Sequence, residues 1–113
     1  MQLSEYQEKS RVTAKYPEAG NTFVYPTLGL VGEAGEVADK IKKHLRDDGF
    51  TKPSQLSDEH KQALAKELGD VLWYVSQLCT ECGLSLDAVA EMNIEKLYSR
   101  LERGKLSGSG DDR

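Results

Sequence analysis

The sequence predicts an all-α fold, a four-helix bundle that is completed by homo-oligomerisation. Three long stretches carry apolar residues at the three- and four-residue spacing of one helix face. Glycines that suit helix ends follow two of these stretches, at Gly83 and Gly104. The chain has 113 residues, of which 38% are apolar, so its core is small and a second copy would complete it. Residues 1–104 are therefore predicted to form one helical domain, followed by a flexible tail at residues 105–113.

Helix-breaking and helix-capping residues place the four helices. Their predicted ranges are about 5–15, 26–46, 58–82 and 86–103. Pro26 suits the first turn of the second helix, and Ser57 and Ser85 suit the N-caps of the third and fourth. The apolar arc of the second helix comprises Leu28, Val31, Ala34, Ala38, Ile41 and Leu45. That of the third helix comprises Leu64, Leu68, Val71, Leu72, Val75, Leu78 and Cys79. The two arcs are predicted to pack against each other.

Two acidic motifs lie beside these arcs. The second helix contains Glu33-Ala34-Gly35-Glu36, and the third contains Glu67-Leu68-Gly69-Asp70. Residues i and i+3 of a helix project from the same face, so each motif directs two carboxylates to one place. Because both motifs have the same offset from their arcs, the acidic faces should meet when the arcs pack. Four converging carboxylates repel one another and lose hydration, which predicts a bound cation.

The residue types in these motifs indicate a hard divalent cation. Both motifs end in a carboxylate, and His44 and His60 stand outside them. An all-oxygen ligand set favours Mg²⁺, with Mn²⁺ as its substitute, over zinc or iron. Mg²⁺ usually shares its coordination sphere with water and substrate phosphates, so a polyphosphate is the expected substrate class. The glycines along the first motif (Gly29, Gly32 and Gly35) indicate close approach of another helix or of a ligand.

Cationic side chains on two helices are candidates to neutralise phosphate. Lys40 and Lys43 share the acidic face of the second helix. A polar stripe on the fourth helix comprises Asn93, Lys96, Arg100 and Arg103. Such a stripe could also be the solvated outside of a bundle, and an isolated acidic pair is common on solvated helices. The metal-site hypothesis therefore depends on the combination of these features.

Composition argues against several classes of protein. The net charge is −4, from 19 acidic and 15 basic residues, so a surface that coats nucleic acid is not expected. No apolar run reaches the ~20 residues that a membrane span needs, and the first residues lack the pattern of a signal peptide. We expect a cytoplasmic protein with no nucleic-acid and no membrane partner.

Cys79 and Cys82 form a lone C-x-x-C pair in an apolar stretch, and we interpret them as packing residues.

Taken together, the motifs resemble the MazG family, all-α nucleoside triphosphate pyrophosphohydrolases related to dimeric dUTPases and to dCTP pyrophosphatases. The resemblance is carried by LGLVGEAGEV at residues 28–37, KELGDVLWY at residues 66–74, and NIEKL at residues 93–97 followed by Arg100. It covers roughly residues 25–103, which is most of the chain.

The resemblance implies Mg²⁺-dependent hydrolysis of nucleoside or deoxynucleoside triphosphates to the monophosphate and pyrophosphate, in nucleotide-pool sanitation or balance. The positions that match the family's metal ligands are Glu33, Glu36, Glu67 and Asp70. One of these carboxylates would orient or deprotonate the attacking water. The family's catalytic unit is formed by paired subunits, which implies a homodimer or homotetramer.

Substrate-binding residues follow partly from the resemblance and partly from helical geometry. Asn93 and Lys96 match positions that such enzymes use towards substrate, and Tyr74 resembles a tyrosine that contacts nucleotide in the dCTP-type relatives. Geometry adds the cationic candidates Lys40, Lys43 and Arg100.

The sequence leaves two alternative functions open. One is a pyrophosphohydrolase for another nucleotide, resembling phosphoribosyl-ATP or an alarmone, and the other is a non-enzymatic helical adaptor.

Overall fold

The computed structural model describes residues 1–113 and contains four α-helices with no β-strand, which confirms the all-α prediction. The helices are α1 (Leu3–Arg11), α2 (Val24–Lys43), α3 (Asp58–Glu81) and α4 (Leu86–Glu102). None of them is long and apolar enough to cross a membrane. The predicted ranges agree with these bounds to within a few residues, except that α1 ends at Arg11, earlier than expected.

The helix ends follow local side-chain chemistry. Ser57 Oγ accepts a hydrogen bond from the His60 backbone N–H at 3.1 Å, and Ser85 Oγ accepts one from the Ala88 N–H at 3.3 Å, so both predicted caps are confirmed. At its other end α2 passes into a π-helical turn, His44–Asp48. A short 3₁₀ turn, Pro53–Gln55, interrupts the segment that leads to α3.

Helices α2 and α3 form an antiparallel pair that is the centre of the fold. Gly29 near the start of α2 lies against Tyr74 in the second half of α3. Lys40 near the end of α2 lies 3.5 Å from Glu67 in the first half of α3. These two contacts fix the direction and register of the pair. They also show that the face of α2 bearing the acidic motif is the one that packs on α3.

The apolar arcs do not pack as predicted. Leu28 and Val31 of the α2 arc are 67% and 68% exposed, and Leu68 of the α3 arc is 51% exposed. Only nine of the 113 residues are buried, so a single chain provides little core. Periodicity identified an apolar face on α2, but within one chain the face that contacts α3 is the neighbouring, more polar one.

Helix α4 packs mainly on α1 and makes little contact with the α2–α3 pair. The chain extends 43 × 43 × 27 Å with a radius of gyration of 17.0 Å. A compact domain of this length would have a radius of gyration of about 13 Å. The open shape carries α4 away from the pair, so the four helices of one chain do not close into a bundle.

Polar side chains hold α1 on α3. Ser10 and Ser76, both buried, have their hydroxyl oxygens 3.3 Å apart, and the buried Gln77 donates to Ser10 Oγ at 3.0 Å. Gln7 reaches the turn between α3 and α4, where it donates to the Leu84 carbonyl and accepts from the Leu86 N–H, each at 2.9 Å. Buried polar groups need such partners, and this interface supplies them.

Glu81 holds the loop between α1 and α2. Its side chain is fully buried and lies 3.0 Å from Arg11 Nη2. The Tyr16 hydroxyl and the backbone N–H groups of Gly20 and Thr22 also donate to this carboxylate. Burial acts to raise the pKa of Glu81, but these hydrogen bonds outweigh it and lower the pKa to about 2. No pattern in the sequence indicates this contact.

Candidate functional site

The two acidic motifs meet at the α2–α3 contact. One carboxylate oxygen each from Glu33, Glu67 and Asp70 lies within 4.8 Å of the others. Glu33 and Glu67 are half-buried, and Asp70 is exposed. The predicted convergence of the two motifs therefore occurs, through three of the four carboxylates.

Glu36 stands outside this cluster. It is exposed and follows Glu33 by one helical turn. Its charge still acts on Glu33, because it is one of the three acidic groups that raise the Glu33 pKa. Helical spacing placed Glu36 on the correct side of α2 but not within contact of the α3 carboxylates.

The three clustered carboxylates repel one another, and the one cation paired with them is Lys40, next to Glu67. Partial burial raises the pKa of Glu33, and the charges of Asp70, Glu67 and Glu36 raise it further. A cation among these oxygens would reverse that repulsion and favour the ionised carboxylates. The donors are all carboxylate oxygens, which suits a hard divalent ion. The residues present therefore fit the metal that the motifs predicted.

The two lysines of α2 differ in what they contact. Lys40 Nζ lies 3.5 Å from Glu67 Oε1, at the edge of the cluster. Lys43 Nζ lies 2.7 Å from Asp39 Oδ2, and this pair is exposed. The structure thus brings Lys40 to the site and leaves Lys43 paired on the surface.

An aromatic cluster, formed by Tyr16, Tyr25, Trp73 and Tyr74, lies next to the acidic residues. Tyr16 and Tyr25 stack with ring centroids 5.1 Å apart, and Tyr25 and Tyr74 are 6.3 Å apart. Burial raises the pKa of the Tyr74 phenol, and Tyr25, Glu33 and Asp70 raise it further. Tyr74 therefore lies where aromatic rings and carboxylates meet. Tyr16 was missed in the sequence because a single loop tyrosine has no periodic pattern.

Gly29 makes room for Tyr74. A Cβ atom at Gly29 would lie 2.1 Å from Tyr74 Cε1, whereas a Cβ at Gly32 or Gly35 would have no neighbour within 4 Å. Of the three glycines singled out in the sequence, Gly29 is the one whose missing side chain permits a contact within the chain.

We expect Gly29→Ala to destabilise the protein by about 1–3 kcal/mol, because the methyl group must displace the Tyr74 ring from a packed site. Gly32→Ala is the matched control in the same helix. It should be neutral or stabilising by up to about 1 kcal/mol, because alanine favours the helix. Urea unfolding at one fixed protein concentration measures both changes, and equal effects of the two substitutions would contradict the contact.

The predicted residues of α4 do not join the carboxylates within one chain. Lys96 Nζ lies 2.8 Å from Asp111 Oδ1, and Arg100 Nη2 lies 3.1 Å from the same oxygen. Asn93 lies one turn before Lys96, in a surface groove of about 380 Å³ that Lys96 and Asp111 also line. The α4 stripe thus forms its own cluster, apart from the site on α2 and α3.

Comparison with known proteins gives a consistent set of relatives. The family model described as MazG nucleotide pyrophosphohydrolase domain matches residues 25–104. The Gene 37 protein of Mycobacterium phage L5 is 45% identical over 118 aligned positions, which cover all of both chains. Human dCTP pyrophosphatase 1 is 37% identical over 71 residues, covering 61% of this chain and 41% of that protein. The uncharacterised Bacillus subtilis protein YvdC is 37% identical over 75 residues, covering 65% of this chain and 70% of its own length. No solved structure gives a significant match.

Proposed function

Because the chain belongs to the MazG nucleotide pyrophosphohydrolase family, we propose that it hydrolyses nucleoside or deoxynucleoside triphosphates to the monophosphate and pyrophosphate with Mg²⁺. The observation that carries the proposal is the cluster of Glu33, Glu67 and Asp70, in which one carboxylate oxygen of each residue lies within 4.8 Å of the others. The similarity to human dCTP pyrophosphatase 1 supports a nucleotide as the substrate. The cellular role that follows is sanitation or balance of the nucleotide pool, in the cytoplasm.

The cluster would hold Mg²⁺, or Mn²⁺ in its place, with Glu36 as a fourth carboxylate. The bound ion would neutralise charge on the phosphates and polarise the phosphoryl group. Burial and the acidic neighbours raise the pKa of Glu33, and a bound cation would relieve the repulsion among these carboxylates.

The chain's own residues divide the remaining tasks. One of the carboxylates accepts a proton from the attacking water as the new P–O bond forms and the bond joining the α- and β-phosphoryl groups breaks. Lys40, which lies next to Glu67, would stabilise charge on the transferred group. Tyr74, between the carboxylates and Tyr25, would contact the nucleotide. Lys43 reaches a phosphate only if its pair with Asp39 breaks.

We further propose that the active unit is a homodimer or homotetramer. The exposed arc residues Leu28, Val31 and Leu68 form an apolar surface that a second copy would cover. The same association would allow α4 of one chain to bring Asn93, Lys96 and Arg100 to the carboxylates of another. These three residues then complete the phosphate-binding part of the site.

Turnover of a panel of nucleoside and deoxynucleoside triphosphates, with Mg²⁺ and with excess chelator, tests the proposal. We expect monophosphate and pyrophosphate as products, and no reaction with the chelator. Hydrolysis in ¹⁸O-labelled water, followed by mass spectrometry of both products, would identify the phosphorus that is attacked. Release of inorganic phosphate and a diphosphate would contradict the proposed reaction.

The other results of that assay separate the alternatives. If no triphosphate is cleaved but Mg²⁺ raises the melting temperature, the alternative of another pyrophosphate substrate is favoured, such as one resembling phosphoribosyl-ATP or an alarmone. If Mg²⁺ changes neither turnover nor melting temperature, the metal site is wrong and the adaptor alternative is favoured.

A further inference from the structure

Residues 105–113 fold back onto α4 and close a loop there. Asp111 is the point of contact, because its carboxylate lies 2.8 Å from Lys96 Nζ and 3.1 Å from Arg100 Nη2. Arg100 Nη2 also donates to the Asp111 backbone carbonyl. Lys96 and then Arg100 lower the pKa of the Asp111 carboxyl, so it is ionised at neutral pH.

Arg113 holds the loop in this shape. Its guanidinium donates to the backbone carbonyls of Lys105, Leu106 and Gly110 at 3.1, 2.9 and 2.6 Å. Arg103 Nη2 in turn donates to the Arg113 carbonyl at 2.8 Å. The closed loop thereby keeps Asp111 over the two cations of α4. We call residues 105–113 in this arrangement the latch.

The contact is asymmetric in its exposure to water. The Arg100 side chain is only 6% exposed, and its Nε has no hydrogen-bond partner. Asp111 is 78% exposed. An exposed carboxylate regains its hydration readily when it leaves, whereas the Arg100 guanidinium then loses the two Asp111 oxygens to which its Nη2 donates. The fixed part of this cluster is therefore Arg100 with Lys96, and the replaceable part is Asp111.

The groove beside the latch has room for a larger anion. It is lined by Leu84, Val89, Met92, Asn93, Lys96 and Asp111 and has a volume of about 380 Å³. Asn93 adds an amide donor beside Lys96 in this groove, and Arg100 lies behind Asp111. A phosphate chain offers several acceptor oxygens to this set, while Asp111 offers one carboxylate.

We propose that the latch is autoinhibitory: Asp111 occupies the anion site of Lys96 and Arg100 in the free protein, and a polyphosphate binds there by displacing it. This inference rests on the proposed function for the identity of the anion as the phosphate chain of the substrate. The latch then sets the affinity for substrate without taking part in the chemistry, since it must open before the phosphates bind.

Binding of inorganic tripolyphosphate to the full chain, in the presence of a chelator and at low salt, tests the site apart from hydrolysis. Without a metal the acidic cluster repels the probe, so binding reports on Lys96 and Arg100. Asp111→Asn should tighten binding about threefold to tenfold, because the competing charge is removed. Asp112→Asn is the matched control and should change binding by less than about twofold, since Asp112 makes no ion pair.

Limited trypsin digestion supplies a second measurement on the same proteins. Cleavage after Lys105 should be slow in the parent chain, and faster in Asp111→Asn or when tripolyphosphate opens the latch. Lys96→Gln should weaken tripolyphosphate binding in both backgrounds. Equal affinities for the parent, Asp111→Asn and Asp112→Asn would overturn the proposal, as would binding that is insensitive to Lys96→Gln. None of these results depends on whether the protein hydrolyses a nucleotide.

Discussion

Asp70→Asn is expected to reduce triphosphate turnover by about 10²- to 10³-fold, because it removes a carboxylate that would hold the cation against the reacting phosphates. Asp70 lies with Glu33 and Glu67 in the carboxylate cluster. The substitution should also weaken the rise in melting temperature that Mg²⁺ produces. Without metal, however, the variant should be slightly more stable than the parent, because one source of repulsion on Glu33 is gone.

Asp58→Asn makes the same chemical change in the same helix, away from the cluster, and should leave kcat/KM unchanged. Glu36→Gln distinguishes a four-carboxylate site from a three-carboxylate site. A loss comparable to that of Asp70→Asn supports Glu36 as a ligand, and a loss below about tenfold limits the site to the three clustered residues. Parent-like turnover by Asp70→Asn would contradict the proposed active site.

Glu81→Gln is expected to destabilise the fold by about 3 kcal/mol, because it removes a buried carboxylate that pairs with Arg11 and accepts hydrogen bonds from Tyr16 and the loop that follows it. The loop between α1 and α2 should become mobile, since Glu81 anchors it through Gly20 and Thr22. Glu5→Gln is the control. Glu5 forms an exposed pair with Lys9 at 3.7 Å, and its loss should cost less than about 0.5 kcal/mol.

The stabilisation that Glu81 gives the fold should decrease as the pH falls. Its pKa is lowered from 4.5 to about 2 in the folded chain. The carboxylate therefore contributes its full stabilisation above pH 4.5, and this contribution is lost as the pH falls towards the folded pKa. The difference in unfolding free energy between the parent and Glu81→Gln should narrow as the pH is lowered from about 5 towards 3. A constant difference would show that Glu81 acts through shape alone.

The parts of the fold that depend on residues close in sequence could be predicted. Ser57 and Ser85 cap helices through backbone groups three residues away, so sequence spacing alone locates them. The face of α2 that packs on α3 was not predictable in the same way. Val31 lies on the apolar face of α2 and Glu33 on the neighbouring acidic face. Periodicity identifies the apolar face, but it does not show which of the two faces packs on α3 in the same chain.

The candidate site shows the same division. Glu33, Glu67 and Asp70 were identified because their spacing repeats on two helices. Glu36 satisfies the same spacing, but the crossing of α2 over α3 leaves it outside the cluster. Glu81 gives no local signal at all, since its donors Arg11 and Tyr16 lie more than half the chain away in sequence. Contacts of that kind are determined by the packing of α1 and not by a motif.

The distant contacts of α1 also bear on the order in which the chain folds. Ser10 reaches Ser76 across a separation of 66 residues, Arg11 reaches Glu81 across 70, and Gln7 reaches Leu84 across 77. Closing so long a loop has an entropic cost that the antiparallel α2–α3 pair, joined by one connection, largely avoids. We therefore expect α2 and α3 to associate first and α1 to dock last. A chain emerging from the ribosome would hold its first helix unplaced until nearly three quarters of the sequence had been made.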